Sequence, residues 1–272
     1  MSIFTTPAYI LIAADIANNP HIGYQTWVRD LLAADISVSS ETAGGPKDSI
    51  LRPNTYEFWE PIALPAEIVI DLGVARAADY VGLAGHTIGS SGVAVKVQHS
   101  PDGTTWTDFG SEVSPTDDAP IMFVDESVTK RYWKIEYPNS GTSPQLAVIY
   151  IGQLLVSPTS IYGGHSPATL SRDTKLFQNM SDGGHFLGQY IKRKGVKGNL
   201  TLRHLGAGWY RTNFDPFVLA AREFPFFVAW RPVDWPLEVA YAWTDANIKP
   251  KNMGKKDYME VSFNFTGIGY LD

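Results

Sequence analysis

Residues 93–110, VAVKVQHSPDGTTWTDFG, decide the fold. VAVKVQ (93–98) alternates apolar and polar side chains, as a strand with one wet face must. Ser100-Pro101-Asp102-Gly103 then reads as a turn, with Gly supplying a backbone angle other residues resist. Residues 106–109 return as the partner strand. Working outward, 67–72 (EIVIDL), 80–84, 121–124, 132–137 and 147–155 carry the same signature. Turns recurring about every 10 residues predict a β-sandwich.

Ser157-Pro158-Thr159-Ser160 reads as a linker, and the composition changes across it. Up to Val156 there are 8 Lys and Arg against 18 Asp and Glu, net −10; beyond it 14 against 10, net +4, which together recover the chain's −6. With 272 residues, the expected organisation is two domains, 1–156 and 157–272. Strands are expected in the second half at 168–177, 186–192, 198–205, 226–230, 238–243 and 258–265. In the last, YMEVSFNF, Tyr258, Glu260, Ser262 and Asn264 share one face, and Met259, Val261, Phe263 and Phe265 the other. Helical spacing is scarce. Phe214, Phe217, Val218 and Ala221 predict a short helix over 209–222 with Pro216 in its first turn. A weaker helical pattern covers 26–34.

Apolar residues make up 44% and charged residues 18%, which supports a core and argues against wholesale disorder. No cysteine is present, so disulfides, thiolate zinc sites and cysteine nucleophiles are excluded. Apolar runs are too short to span a bilayer, and residues 1–19 lack the basic leader of a signal peptide.

Chemical motifs are sparse. His21, His86, His99, His165, His185 and His204 are scattered without helical metal-site spacing. Phosphate loops and nucleophile elbows are missing, and the glycines at 163–167 and 182–188 read as turns. Asp117-Asp118 and Asp125-Glu126 read as solvated loops, with calcium as the alternative. Catalytic residues, cofactor and metal sites are therefore expected to be none, and the chain is not expected to be an enzyme. Lys192, Arg193, Lys194 and Lys197 form a basic cluster, read as an interface or edge-strand guard in preference to a nucleic-acid contact. Tyr56, Phe58 and Trp59 precede the EIVIDL strand. They either stack on sugar rings or plug the sandwich end.

IVIDLG (68–73), DYVGLAGHT (79–87), VKVQHSPDGTTWTDFG (95–110) and RYWKIEY (131–137) resemble the discoidin-type, galactose-binding-like jelly roll over about residues 37–156. Lys130 and Lys134 depart from that family's Ala and Arg. IYGGHSPATLSR (161–172), NFDPFVLAAREFPFFVAWRP (213–232) and NMGKKDYMEVSFNFTGIGY (252–270) resemble the distal-tail or baseplate proteins of long-tailed bacteriophages. The resemblances imply an all-β chain: a jelly-roll sandwich followed by a ring-forming β-barrel or sandwich with one short helix. They imply a virion protein made in the host cytoplasm. It would be a homo-hexameric ring joining the tail tube protein to hub and baseplate proteins. The alternative is a carbohydrate-binding module for host surface glycans. Possible glycan contacts are Tyr56, Phe58 and Trp59. Possible oligomer contacts are Lys192, Arg193, Lys194, Tyr258, Glu260, Ser262 and Asn264. Neither nucleic-acid binding nor membrane insertion is expected. Whether residues 1–24 join the first domain or lend a strand to the second is open at this level.

Overall fold

The structure, a computed structural model, describes residues 3–5, 17–161, 163–167, 170–244, 247–254 and 257–269. In the first half the strands are β1 (Ile3–Thr5), β2 (His21–Gly23), β3 (Ile36–Val38), β4 (Ala66–His86), β5 (Lys96–Ser100), β6 (Thr107–Asp108), β7 (Ile121–Tyr137), β8 (Leu146–Gly152) and β9 (Leu155–Val156). The second half adds β10 (Lys175–Met180), β11 (Phe186–Arg193), β12 (Val196–Gly206), β13 (Phe226–Ala229), β14 (Val239–Trp243), β15 (Pro250–Asn252) and β16 (Tyr258–Ile268). Between β12 and β13, α1 (Ala207–Trp209), a π-helical turn (Tyr210–Phe214) and α2 (Asp215–Ala220) run on without a break.

Two long antiparallel strands build the jelly-roll sandwich. β4 has 21 residues and β7 has 17, and each belongs to both layers. Ala66–Asp71 pairs with Tyr132–Tyr137, flanked by β3 on one side and β5–β6 on the other. Past an irregularity between Asp71 and Arg76, Tyr80–Leu83 pairs with Ile121–Val124, flanked by β8 and, in parallel, by β1. Arg131 grips Asp71 through two bonds of 2.6 and 2.7 Å where the layers part. The layers close on Ile68, Ile70, Val81, Leu83, Phe123, Trp133 and Ile149. The predicted strands 67–72 and 80–84 are thus one strand, as are 121–124 and 132–137, because a bulge bends the ladder without ending it. The turn after β5 forms as expected. Gly103 has φ +75°, and Asp102 Oδ1 accepts from the Thr104 and Thr105 amides, which holds its carboxyl far below the usual range.

The second sheet runs β12-β16-β14-β13-β2-β9, with β15 also on β16. Among the described residues it is an open sheet with β12 and β9 at opposite ends of the path, so of the expected barrel or sandwich it lacks the barrel's closure. β2 and β9 both precede the boundary expected at 156/157, so this sheet recruits strands from the first half. Among the described early residues, β1 serves the sandwich and β2 the second sheet.

One face of the second sheet carries the helical run: Phe214, Phe217 and Val218 pack on Leu200, Val261 and Phe263. Pro216 falls at the start of α2, after the π turn and not in the first turn of the run. Residues 26–34 form turns and a short 3₁₀ segment (Ala33–Asp35) in place of the weaker helix. On the other face, Phe227, Ala229, Val239 and Tyr241 pack on Tyr80, Ala84, Met122, Val124 and Tyr150 of the sandwich. β8, β13 and most of β14 are therefore buried on both faces, which explains their unbroken apolar sequences.

The seam is fitted closely. A Cβ on Gly82 would lie 2.6 Å from the Phe227 ring, and one on Gly152 2.4 Å from the Gln25 carbonyl oxygen. Tyrosine hydroxyls satisfy main-chain carbonyls around it: Tyr150 donates to Pro225 at 2.9 Å, Tyr241 to Pro53 at 2.7 Å, and Tyr80 to Gln25. Arg29 lies over the Phe224 ring at 3.5 Å.

Burial of two histidines sets an acid limit. His21 in β2 and His86 at the end of β4 are both pushed down to about 4 from 6.5, chiefly because burial disfavours the imidazolium. The unfolded chain binds these protons more readily, so stability is whole above pH 6.5 and falls as pH drops toward 4, by up to about 3 kcal/mol per histidine. Asp79, pushed up from 3.8 to about 6 by burial, acts oppositely and returns part of this over pH 6 to 3.8. The urea midpoint should drop markedly between pH 7 and pH 4.5; an unchanged midpoint would contradict the burial of these rings.

Candidate functional site

Among the described residues, β10 and β11 form a two-stranded arm that no other strand joins. The turn over 181–185 is closed by the Ser181 and His185 main chains, and Ser181 Oγ accepts the His185 amide at 3.1 Å. Phe177 and Tyr190 meet across the strands on one face, ring centroids 5.2 Å apart. Leu176 pairs with Ile191 on the other, beside Gln178, whose Nε2 donates to Gln189 at 3.1 Å. Phe186 is 63% exposed, Met180 62% and Tyr190 59%. The arm is apolar on both faces and buried on neither. An isolated hairpin is marginal in water, and an apolar surface of this extent on a single chain marks a contact. Among the described residues no strand pairs with either outer edge of the arm.

The basic cluster lies at the root of this arm. Lys192 and Arg193 end β11 and Lys194 follows; Arg193 pairs with Asp173 at 2.5 Å. Beside it, the wet face of β16 forms as expected and lies against β12. Glu260 pairs with Arg203 at 3.0 Å, Thr201 meets Ser262 at 2.8 Å, and Asn199 donates to Asn264 at 3.0 Å. Tyr258 contacts the His204 ring edge-on at 6.0 Å. The structure therefore brings Lys192, Arg193 and Lys194 together, and separately aligns Tyr258, Glu260, Ser262 and Asn264 along a hydrogen-bonded face.

The three aromatics at 56–59 do not form a platform. Trp59 is fully buried, stacked on Tyr137 at 6.0 Å and 15°, with Nε1 donating to the Ser40 carbonyl at 3.0 Å. Its main chain bridges to Leu146 of β8. Trp59 is thus corrected from a glycan contact to a core residue: its ring fills the sandwich and its one donor is spent inside. Phe58 is half-buried against the seam. Tyr56 alone is 89% exposed, on a loop held by Asn54 Oδ1, which accepts the Tyr56 and Glu57 amides.

Asp117 and Asp118 lie on a loop as expected, whereas Asp125 and Glu126 are corrected from a loop to positions within β7, and the aspartates accept main-chain amides. Asp118 accepts from Ser90, Asp117 from Ala119, and Asp125 from Gly110 at 3.0 Å. Among the described residues, no three His, Asp or Glu side chains gather as metal ligands. The histidines stand apart: His99 lies edge-on to Trp133, His165 to Trp230 and His204 to Tyr258.

No family model matches the chain, and no curated protein matches it. Solved structures with a similar fold include a pectin-binding carbohydrate-binding module, 15% identical, covering 43% of this chain and 87% of its own, TM-score 0.38. The family 32 carbohydrate-binding module of Clostridium perfringens NanJ, solved with galactose, is 18% identical over 44% of this chain and 94% of its own, TM-score 0.38. A Paenibacillus chitosan-binding module is 15% identical over 46% and 96%, TM-score 0.39. Identities and scores at this level leave the ligand to be read from this chain's own residues.

Sequence reading placed β11, but it set the other strand at 168–177, which overlaps β10 only over 175–177, and it missed the exposure of both, because apolar strand residues are normally read as buried. Trp59→Ala should cost about 3–5 kcal/mol, as loss of a large core aromatic does, whereas Tyr56→Ala should leave the denaturation midpoint unchanged. Equal midpoints for the two variants in urea would refute this division.

Proposed function

We propose that the protein is a non-catalytic assembly component that joins copies of itself through the β10–β11 arm. The observation that carries this reading is the arm's two-sided apolar exposure. A second copy is the favoured occupant because the two halves are electrically complementary. The half bearing the arm and its basic root has net +4, and the half forming most of the sandwich has net −10. An arm from one subunit meeting a different surface on the next is a head-to-tail contact, and such contacts form a ring where the rotation between subunits closes. The finer reading is the ring of a bacteriophage tail tip, with the sandwich at its periphery. It rests on the resemblance of the blocks at 161–172, 213–232 and 252–270 to distal-tail proteins, which implies tail tube and hub proteins as neighbours.

Mass photometry and negative-stain microscopy of the full chain test it. The expected result is a closed oligomer that Phe177→Asp combined with Tyr190→Asp converts to a monomer keeping the parent's far-UV circular dichroism, since neither ring supports a core. A parent chain that stays monomeric at micromolar concentration, alone and with tail tube protein, overturns the reading.

One observation favours a second reading, attachment to host surface glycans: Tyr56 stands almost fully exposed on a loop braced by the Arg52–Glu57 ion pair at 2.7 Å. A glycan array should then show a signal that Tyr56→Ala abolishes. Signal surviving that change excludes this loop as the site.

A further inference from the structure

Two breaks in regular structure converge on one cleft. β4 carries a bulge between Ala78 and Tyr80, which leaves Asp79 out of the ladder to β7. The π-helical turn interrupts the helical run at Tyr210–Phe214 and presents Thr212 and Asn213. Bulges and π turns each cost regular hydrogen bonding and concentrate at functional positions. Here both border a cleft of about 300 Å³ between the sandwich and the second sheet, completed by Tyr24, Gln25 and Gln153. That volume is at the lower end of the range for small-molecule sites, about 300–1,000 Å³.

Its lining chemistry is specific. Asp79 is half-buried; its Oδ1 accepts the Leu154 amide at 2.7 Å, and burial pushes its pKa up to about 6. Gln25 Oε1 is buried in the wall without a hydrogen-bond partner among the described residues. Asn213 commits its Nδ2 to the Trp209 carbonyl at 3.1 Å, leaving its acceptor oxygen. The Tyr24 ring stands edge-on to Phe217 at 5.5 Å, which fixes it at the rim. Gln153 and Thr212 bring further donors and acceptors.

The ligand class follows by elimination. The lining holds no Lys, Arg or His, so a bound anion would meet no counter-charge. It holds one carboxylate, too few for calcium, which takes 6–8 oxygens with several carboxylates among them. What remains is amides, hydroxyls and a single carboxylate, with Leu154, Leu155, Pro216 and the Tyr24 ring as the apolar part of the wall. Hydroxyl groups, which both donate and accept, match that mixture. We propose that this interdomain cleft binds a neutral polyhydroxyl ligand, a mono- or disaccharide, with Asp79, Gln153 and Asn213 as its hydrogen-bonding contacts. The site is separate from the arm and from the Tyr56 loop, and does not depend on either reading above.

Saturation-transfer NMR and calorimetry on the full chain test it, with glucose, galactose, mannose and their N-acetylated amines as probes and phosphate and calcium as controls. At least one sugar should bind saturably. Asp79→Asn keeps the acceptor for the Leu154 amide, so the fold is retained while affinity should fall at least about tenfold, a change of about 1.4 kcal/mol. Gln153→Ala, which breaks no side-chain hydrogen bond among the described residues, should weaken binding likewise. Three results overturn the proposal: no sugar binds; binding is unchanged in both variants; or phosphate or calcium binds in place of sugar. Loss of binding in Tyr56→Ala alone would move the ligand to that loop. Mass photometry on the same samples reports assembly separately, so failure here leaves the arm's role standing or falling on its own result.

Discussion

The packing of the second sheet on the back of the sandwich is the constraint on which the rest depends. Tyr80, Ala84, Met122, Val124 and Tyr150 face Phe227, Ala229, Val239 and Tyr241 with no polar layer between. Each large side chain removed from water there contributes about 1.5–3 kcal/mol before entropy is counted. The hydroxyls of Tyr80, Tyr150 and Tyr241 all reach main-chain carbonyls, so these three rings are buried with their polar ends satisfied. The interdomain geometry is consequently fixed by a core, not by a linker. The chain behaves as four layers: two of the sandwich, the second sheet, and the helical run. That rigidity is what gives a cleft at the rim of the seam a defined shape.

Side-chain periodicity reports faces, and faces were legible. The alternation of β16 reads correctly from YMEVSFNF: Val261, Phe263 and Phe265 are buried while Ser262 and Asn264 are exposed. The jelly-roll half is legible for the same reason. Backbone continuity is a different property. β4 reads as two strands because residues 73–76 point into solvent and break the apolar pattern, although the chain simply passes from one layer to the next. β2 is three residues long and so offers no period at all; it is ordered by β13 and β9 on its two sides. Of the barrel-or-sandwich expectation, closure into a barrel fails for a related reason. Strand signals do not say which edges meet, and here β12 and β9 stay apart at opposite ends of the sheet.

The site residues were less legible because each is defined by what does or does not cover it. Trp59 and Tyr56 share one loop and one composition, yet one ring is core and the other is bare. The deciding fact is the space between Tyr137 and Ser40, which belongs to distant parts of the chain. In the arm the sequence shows two good strands, and only the finished fold shows that no layer covers either face. The cleft draws on positions 24–25, 79, 153 and 212–213, which no spacing rule connects. Its markers are two backbone irregularities, and side-chain patterns do not register a residue that has slipped its ladder.

The arm and the charge asymmetry contribute different things to association. Opposite net charges on the two halves act over about a Debye length, near 10 Å at 0.1 M salt, and so bias how copies approach. Once surfaces touch, screened charges add little, and the lasting stabilisation has to come from Phe177, Tyr190, Met180 and Phe186 leaving water. The arm has no packed core of its own, so its conformation is also stabilised by whatever it meets. Ordering and binding are then a single step, and the entropy of holding the hairpin is lost only when the apolar contact offsets it. A chain built this way keeps its four packed layers fixed and leaves its adaptable surface at one projecting element.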